Sequence, residues 1–177
     1  DNMSLDFNSL AQGFTVDLIG RYLETKNIHN FLIEVGGEIL AKGLNDDDKI
    51  WRIGIDKPLN NIDYNDRFQL ILDLENKALA TSGNYRKFYI KNGLKYSHMI
   101  NPFTGFPAQN NLLSVTVIHD DCIMADAYST AFMVMGVKEA KQFVLLNPEI
   151  ETYLVYTDKD GNWKTYISPR MLKRVVY

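Results

Sequence analysis

The chain has 177 residues, 46% of them hydrophobic, and a formal net charge of −3. We expect one domain spanning residues 1–177, because this length can bury a real core and this apolar fraction is ordinary for a soluble globular protein. The basic residues are scattered, which argues against a nucleic-acid surface, since such a surface presents a basic stripe. No segment is long and apolar enough to span a membrane, and we expect no signal peptide within these residues.

A helix is predicted over residues 9–26, because apolar side chains recur there at three- and four-residue spacing. These side chains are Leu10, Phe14, Leu18 and Tyr22, with Ile19 and Leu23 beside them. Ser9 or Asn8 is expected to cap the start of this helix by accepting from free backbone N–H groups. Asn27 is expected to end it.

Strands and two further helices follow. The predicted strands are residues 31–35, 38–42, 50–55, 68–74, 78–81, 87–91, 94–100, 112–119, 152–157 and 163–167. Asn92-Gly93 and Asp160-Gly161 predict hairpin turns. Residues 122–135 and 137–146 predict helices, the first ending at Gly136. This order predicts an α+β fold with largely antiparallel sheets packed with helices.

The segment from Ala125 to Ala131 carries the most informative polar residues. Asp126 and Thr130 are four residues apart, so on a helix they share one face and offer the hard oxygen ligands that magnesium prefers. An unpaired charge in this otherwise apolar helix would be costly. The alternative is structural: Asp126 caps the helix and Thr130 bonds back to a carbonyl. Nearby Cys122, the one cysteine of the chain, is expected to be a small buried hydrophobic residue.

Other polar signals are weaker. His98 lies at a strand end before a Pro and Gly turn, where an imidazole can act as a general base or serve only a structural role. Gly36-Gly37 and Ser82-Gly83 follow strands and can let backbone N–H groups approach a phosphate, or be plain turns. Residues 6–17 lead into a helix N-terminus, which suits a pyrophosphate.

In chain order, these segments resemble the blocks of the ApbE family. Residues 6–17 are similar to D-x-x-x-x-x-K/E-G-Y-x-x-D, residues 32–37 to V-x-x-G-G, and residues 51–58 to W-R-V-G-I-x-x-P. Residues 81–86 resemble T-S-G-x-Y-R, residues 98–105 resemble H-I-I-D-P-x-T-G, and residues 125–130 resemble A-D-A-x-x-T. The ending at residues 164–169 also fits. Ordered blocks at compatible spacing are much more specific than any one of them.

The resemblance implies an ApbE-like, T-fold-related architecture and a role for each matching residue. Asp126 and Thr130 are expected to bind Mg²⁺ through side-chain oxygens, with Ser129 nearby and Ser9 adding its backbone carbonyl. His98 is expected to be the base or positioner for an acceptor hydroxyl. The residues expected to contact FAD are Asp6, Gln12, Gly36, Gly37, Ser82, Gly83 and Ile100.

The activity implied by the resemblance is Mg²⁺-dependent transfer of FMN from FAD to a Thr or Ser hydroxyl of a target flavoprotein, with release of AMP. The expected acceptor is a redox-complex subunit with a D-G-x-T/S-x-A-T type of site. Two alternatives remain open: a relative that binds FAD or hydrolyses it to FMN and AMP without modifying an acceptor, and a catalytically silent interaction domain. A silent domain would bind no FAD in a magnesium-dependent way.

The chain also departs from the family pattern. Gln12 replaces the usual Lys or Glu, and Asn101 replaces the usual Asp, so we expect FAD affinity or orientation to differ. Family members are much longer, and the resemblance places this chain in their C-terminal part. The N-terminal half, which is absent here, is expected to supply further FAD contacts and a lipid-anchored cysteine. The expected setting is therefore extracytoplasmic and periplasmic, with the full-length lipoprotein anchored to the inner membrane.

Overall fold

The computed structural model describes residues 5–58, 67–84, 88–91, 94–97 and 99–176. Its helices are α1 (Ala11–Thr25), α2 (Cys122–Met135), α3 (Val137–Leu146) and α4 (Pro169–Leu172). Its strands are β1 (Phe31–Val35), β2 (Glu38–Lys42), β3 (Trp51–Asp56), β4 (Phe68–Leu74), β5 (Lys77–Gly83), β6 (Phe88–Lys91), β7 (Leu94–Ser97), β8 (Leu112–His119), β9 (Glu151–Thr157) and β10 (Trp163–Ile167). The predicted α+β class is confirmed, whereas the short helix α4 was not predicted.

The strands form one six-stranded sheet in the order β1-β2-β5-β8-β9-β10, together with the separate hairpins β3–β4 and β6–β7. Neighbouring strands are antiparallel throughout the described pairs. Gly36 and Gly37 make the tight turn between β1 and β2, with φ of 67° and 110°. Positive φ at both central residues is the geometry of a two-residue hairpin turn and favours glycine.

The side-chain alternation of β5 separates the two faces of the large sheet. Ala78 and Ala80 pack in clusters with residues of α1, α2 and α3, while Leu79 packs with the β3–β4 hairpin and Met171 of α4. Because successive strand side chains point to opposite faces, Ser82 belongs to the helix-covered face and Thr81 to the other. Ser82 therefore lies on the face of the sheet that α2 covers.

The apolar pattern that predicted α1 lies on its exposed side. Phe14, Leu18 and Tyr22 are 48%, 52% and 60% exposed, whereas the buried residues of α1 are Gly13, Val16, Asp17 and Gly20. The helix was predicted correctly. Its buried face had no signal in the sequence, because small residues allow the close packing of α1 and contribute little to an apolar periodicity. The predicted cap was wrong: Leu10 is the N-cap, and no side chain bonds there.

This orientation predicts unequal costs for two truncations in α1. Val16→Ala is expected to lower the free energy of unfolding by about 2 kcal/mol, through lost burial and the cavity left behind. Leu18→Ala is expected to change it by less than about 0.5 kcal/mol, as for other surface substitutions. Urea unfolding midpoints of both variants provide the measurement. A larger loss for Leu18→Ala would show that the face we describe as exposed is covered.

The region between β7 and β8 differs from its prediction. The strand expected over 94–100 ends at Ser97, and Ile100 forms only an isolated bridge with Pro107. The backbone N–H groups of Thr104 and Gly105 donate to the carbonyl of Asn101 and close a tight turn after Ile100. The predicted turn residues Asn92 and Gly93 lie outside the described residues.

Within the described ranges, no helix is long and apolar enough to cross a membrane.

Candidate functional site

Helices α1 and α2 approach each other very closely at Gly13. A Cβ atom added to Gly13 would lie 2.5 Å from the carbonyl oxygen of Cys122 and 2.8 Å from the Cα of Ile123. Real Cβ atoms do not approach backbone this closely, so the contact needs glycine. The N-terminal turn of α1 is therefore held against the first turn of α2.

Each helix supplies a buried carboxylate to the N-terminus of the other. Asp126 of α2 accepts from the backbone N–H of Gly13 at 3.0 Å. Asp17 of α1 accepts from the backbone N–H groups of Cys122 and Ile123, both at 2.9 Å. Free N–H groups and partial positive charge at a helix start favour such anionic partners. The structural alternative for Asp126 was thus wrong in its detail, because Asp126 bonds the start of α1 rather than that of its own helix.

The charge of Asp126 is costly in this position. The side chain is buried, with 4% exposure, and burial raises the pKa of its carboxyl against the opposing effect of the Gly13 N–H. No cationic side chain of the described residues contributes to that shift. A buried carboxylate of this kind is normally paired with a cation or a metal.

A cluster of hydroxyl groups lies beside Asp126 and bridges α2 to β5. The Ser82 Oγ lies 2.9 Å from the Ser129 Oγ and 3.1 Å from the Thr130 Oγ1. Ser129 also donates to the backbone carbonyl of Asp126 at 2.9 Å. The expectation that Thr130 bonds back to a carbonyl was wrong, because Ser129 makes that bond. We call Ser82, Ser129 and Thr130 the hydroxyl cluster.

The backbone carbonyl of Ser9 just before α1 was a predicted magnesium ligand. Gly13 is the third residue of α1, so its N–H is one of those at a helix start that have no partner within the helix. Here that N–H donates to Asp126, so it does not occupy the Ser9 carbonyl. This arrangement suits the expected ligand role of the Ser9 carbonyl, which remains a prediction.

The β1–β2 turn contacts the same end of α1. The Gln12 Nε2 lies 1.9 Å from the position a Cβ of Gly36 would take, while nothing lies within 4 Å of that position at Gly37. Only glycine at residue 36 therefore leaves room for the Gln12 amide. Gly83, beside Ser82 at the end of β5, pairs with Ser114 of β8. The predicted turn at Ser82-Gly83 was therefore wrong, because both residues lie within β5 and pair with β8. Only the Gly36-Gly37 turn lies beside Gln12.

The remaining predicted site residues are Asp6, Ile100 and His98. The carboxylate oxygens of Asp6 accept from the backbone N–H and the side-chain amide of Asn8, at 2.7 and 3.3 Å. Ile100 is 52% exposed and bridges to Pro107. His98 lies outside the described residues. The roles predicted for these residues remain predictions.

The oxygen groups around Asp126 fit a magnesium ion by their chemistry. Carboxylate, hydroxyl and carbonyl oxygens are hard ligands, and Mg²⁺ usually binds through one or two protein carboxylates together with substrate phosphates. In the described part of the chain, no three His, Cys, Asp or Glu residues group around a common metal position. Cys122 is fully buried as predicted.

Comparison with known proteins assigns the chain to a family. The model of the ApbE family matches residues 1–154. The chain belongs to the ApbE family. Asp126, Gly13 and the hydroxyl cluster all lie within the matched residues, so the ApbE match covers the whole site.

Several ApbE relatives are similar over nearly all of this chain. The FAD:protein FMN transferase of Vibrio cholerae is 39% identical over 93% of this chain and 48% of that protein, and that of Escherichia coli K12 is 34% identical over 96% and 47%. The solved structure of the flavin transferase ApbE from Vibrio cholerae matches with a TM-score of 0.81 and 37% identity, covering 96% of this chain and 52% of that one. The chain spans about half the length of the curated relatives it matches.

Two residues important to the site were not assigned roles from the sequence. Gly13 and Asp17 both lie in the ApbE-like block at residues 6–17. Their fixed spacing inside that block was the available signal. Their roles depend on contacts with α2, which lies more than a hundred residues later in the chain. Gly13 and Asp126, for example, are 113 residues apart in the sequence.

Proposed function

We propose that the protein takes part in Mg²⁺-dependent transfer of FMN from FAD to a Thr or Ser hydroxyl of a flavoprotein, with release of AMP. The observation that carries this proposal is the buried Asp126 carboxylate, held at the start of α1 beside the hydroxyl cluster. Membership of the ApbE family supports it, because relatives over this length are named FAD:protein FMN transferase.

The residues of the chain have separable tasks in this proposal. Asp126 and Thr130 would hold Mg²⁺, with Ser129 nearby and the Ser9 carbonyl as a further oxygen. When bound, Mg²⁺ would neutralise the pyrophosphate of FAD and polarise the reacting phosphoryl group. Nothing lies within 4 Å of the position that a Cβ of Gly37 would take. The turn beside Gln12 therefore leaves its backbone open to a ligand near the start of α1, where N–H groups favour a phosphate.

The reaction exchanges one phosphorus–oxygen bond for another. The acceptor oxygen bonds to the phosphorus of the FMN half of FAD, the pyrophosphate bond breaks, and AMP leaves with the bridging oxygen. The hydroxyl proton passes to a base, for which we propose His98. Positioning and charge neutralisation supply most of the rate of such phosphoryl transfers.

The proposal is tested by the intact mass of an acceptor carrying a D-G-x-T/S-x-A-T type of site. The protein is incubated with FAD, Mg²⁺ and this acceptor, with and without a chelator. We expect the acceptor to gain one FMN and the chelator to abolish the gain. Unmodified acceptor with metal-dependent formation of free FMN and AMP would identify a hydrolysing relative instead. No change in either acceptor or FAD would indicate a silent domain.

We also propose an extracytoplasmic, periplasmic setting, with a flavoprotein subunit of a redox complex as acceptor and a lipid anchor at the inner membrane. The support is the resemblance to the ApbE family alone. Fractionation of the source cell with an antibody to this chain tests it. Recovery of the protein in the cytoplasmic fraction would overturn the proposed setting without affecting the proposed reaction.

A further inference from the structure

The contacts of the hydroxyl cluster use every proton that its three members can donate. Ser82 contacts both Ser129 and Thr130, and Ser129 contacts the Asp126 carbonyl. Each hydroxyl has a single proton to donate but can accept twice. The three contacts therefore need all three protons, each used once.

Only one arrangement of donors makes every bond. A carbonyl cannot donate, so the Ser129 proton is directed to Asp126. Ser129 then has no proton for Ser82, so Ser82 donates to Ser129. With its own proton used, Ser82 can only accept from Thr130. The chain of donation runs from Thr130 to Ser82, to Ser129, and to the Asp126 carbonyl.

We propose that Ser82 is a positioning residue that fixes the Thr130 hydroxyl with its proton directed towards β5 and its lone pairs available to a divalent cation. This inference rests on the proposed function and deepens it, because it assigns Ser82 to cation binding through its side chain. A hydroxyl whose proton is held elsewhere offers only its lone pairs. A cation binds to such lone pairs, whereas a phosphate oxygen would need the proton.

Removing the Ser82 hydroxyl leaves Thr130 with a competing partner. A threonine inside a helix readily donates to the carbonyl of residue i−3 or i−4. For Thr130 the open acceptor is the i−3 carbonyl of Ala127, since the Asp126 carbonyl already accepts from Ser129. That bond would change the χ1 rotamer of Thr130 and turn its oxygen away from the position held by Ser82. Ser82 therefore acts through Thr130 by excluding this alternative.

The test measures cation binding directly, with Mn²⁺ as the probe and electron paramagnetic resonance as the readout. Ser82→Ala is expected to weaken Mn²⁺ binding about tenfold, as for other groups that orient metal ligands. Thr81→Val is the matched control, because the neighbouring Thr81 hydroxyl bonds Thr116 at 2.9 Å on the opposite face of the sheet. It removes a hydroxyl contact of the same type and should leave Mn²⁺ affinity unchanged. Ser82→Thr keeps the hydroxyl and should restore most of the affinity.

A second measurement needs no cation. In protein labelled at threonine methyl groups, the Thr130 resonance is expected to shift in Ser82→Ala and to stay in place in Thr81→Val, because only the first variant frees the Thr130 rotamer. Equal Mn²⁺ affinity in the wild type and Ser82→Ala, or an unmoved Thr130 resonance, would overturn the inference and leave the proposed function standing.

The two proposals can fail separately. Weakened Mn²⁺ binding in Ser82→Ala together with an acceptor that never gains FMN would support the positioning role and overturn the proposed transfer. A wild-type protein that binds no Mn²⁺ would overturn both the positioning role and the magnesium requirement.

Discussion

Asp126→Asn is expected to lower the rate of the proposed FMN transfer by about 10²–10³-fold, a loss typical of removing one strong electrostatic contact from a reacting centre. The amide is almost the same size as the carboxylate, and its oxygen can still accept from the N–H of Gly13, 3.0 Å away in the wild type. The charge that would hold the cation is lost, while the helix contact is kept. The measurement is the rate of acceptor flavinylation at saturating Mg²⁺.

The same substitution is expected not to destabilise the fold. Because burial raises the pKa of Asp126 above its ordinary value of 3.8, the folded state binds the proton more tightly than the unfolded chain. Without added divalent cation, stability is therefore expected to fall as pH rises from about 3.8 through the raised folded pKa. Asp126→Asn removes this loss, so its free energy of unfolding near neutral pH should equal or exceed that of the wild type.

Asp17→Asn is the matched control. Asp17 is also a buried carboxylate, and it accepts from the start of α2 as Asp126 accepts from the start of α1. Both of its oxygens accept a backbone N–H of α2, and an amide nitrogen cannot accept. The variant is expected to lose about 1–3 kcal/mol of stability while keeping its activity per folded molecule. Equal losses of activity in the two variants would mean that Asp126 serves only the helix packing.

Gly13→Ala is expected to destabilise the protein by about 3 kcal/mol, near the upper end of the usual cost of overpacking. Intrinsic helix propensity predicts the opposite sign, a gain of about 1 kcal/mol. Tertiary contact should dominate, because the new Cβ would meet the backbone of Cys122 at 2.5 Å. Backbone cannot move aside without separating α1 from α2. Guanidinium unfolding of the variant decides between the two signs.

Gly20→Ala provides the comparison within the same helix. Its Cβ would meet the Cδ2 of Leu40 at 2.6 Å, the end of a side chain that can rotate away. We expect a loss of about 1 kcal/mol or less, since the propensity gain offsets part of the repacking. A Gly13→Ala variant as stable as Gly20→Ala would show that the α1–α2 contact is looser than the structure has it.

The strands and helices of this protein were largely predictable because their signals are local. In β3, Trp51, Ile53 and Ile55 alternate with more polar positions, and Ile53 and Ile55 are buried. Gly136 ends α2 with a φ of 88°, a conformation that glycine adopts readily. The placing of Asp126 and Thr130 on one helix was also predicted, and their role as magnesium ligands stays a prediction. Each of these signals lies within a few residues of chain.

Contacts between distant parts of the chain decided the rest. The buried face of α1 follows from Gly13 and Gly20, whose lack of side chains permits close approach and leaves no apolar signal in the sequence. The bond from Gly13 to Asp126 joins residues 113 apart, and the contact of Ser82 with Ser129 joins residues 47 apart. The sequence by itself determined most of the elements, the family and the placing of Asp126 and Thr130 four residues apart on α2, because these depend on local order. Only the tertiary structure decided which carboxylate each helix start receives and which hydroxyl groups meet between β5 and α2, because hydrogen bonds depend on atomic positions that no local pattern encodes.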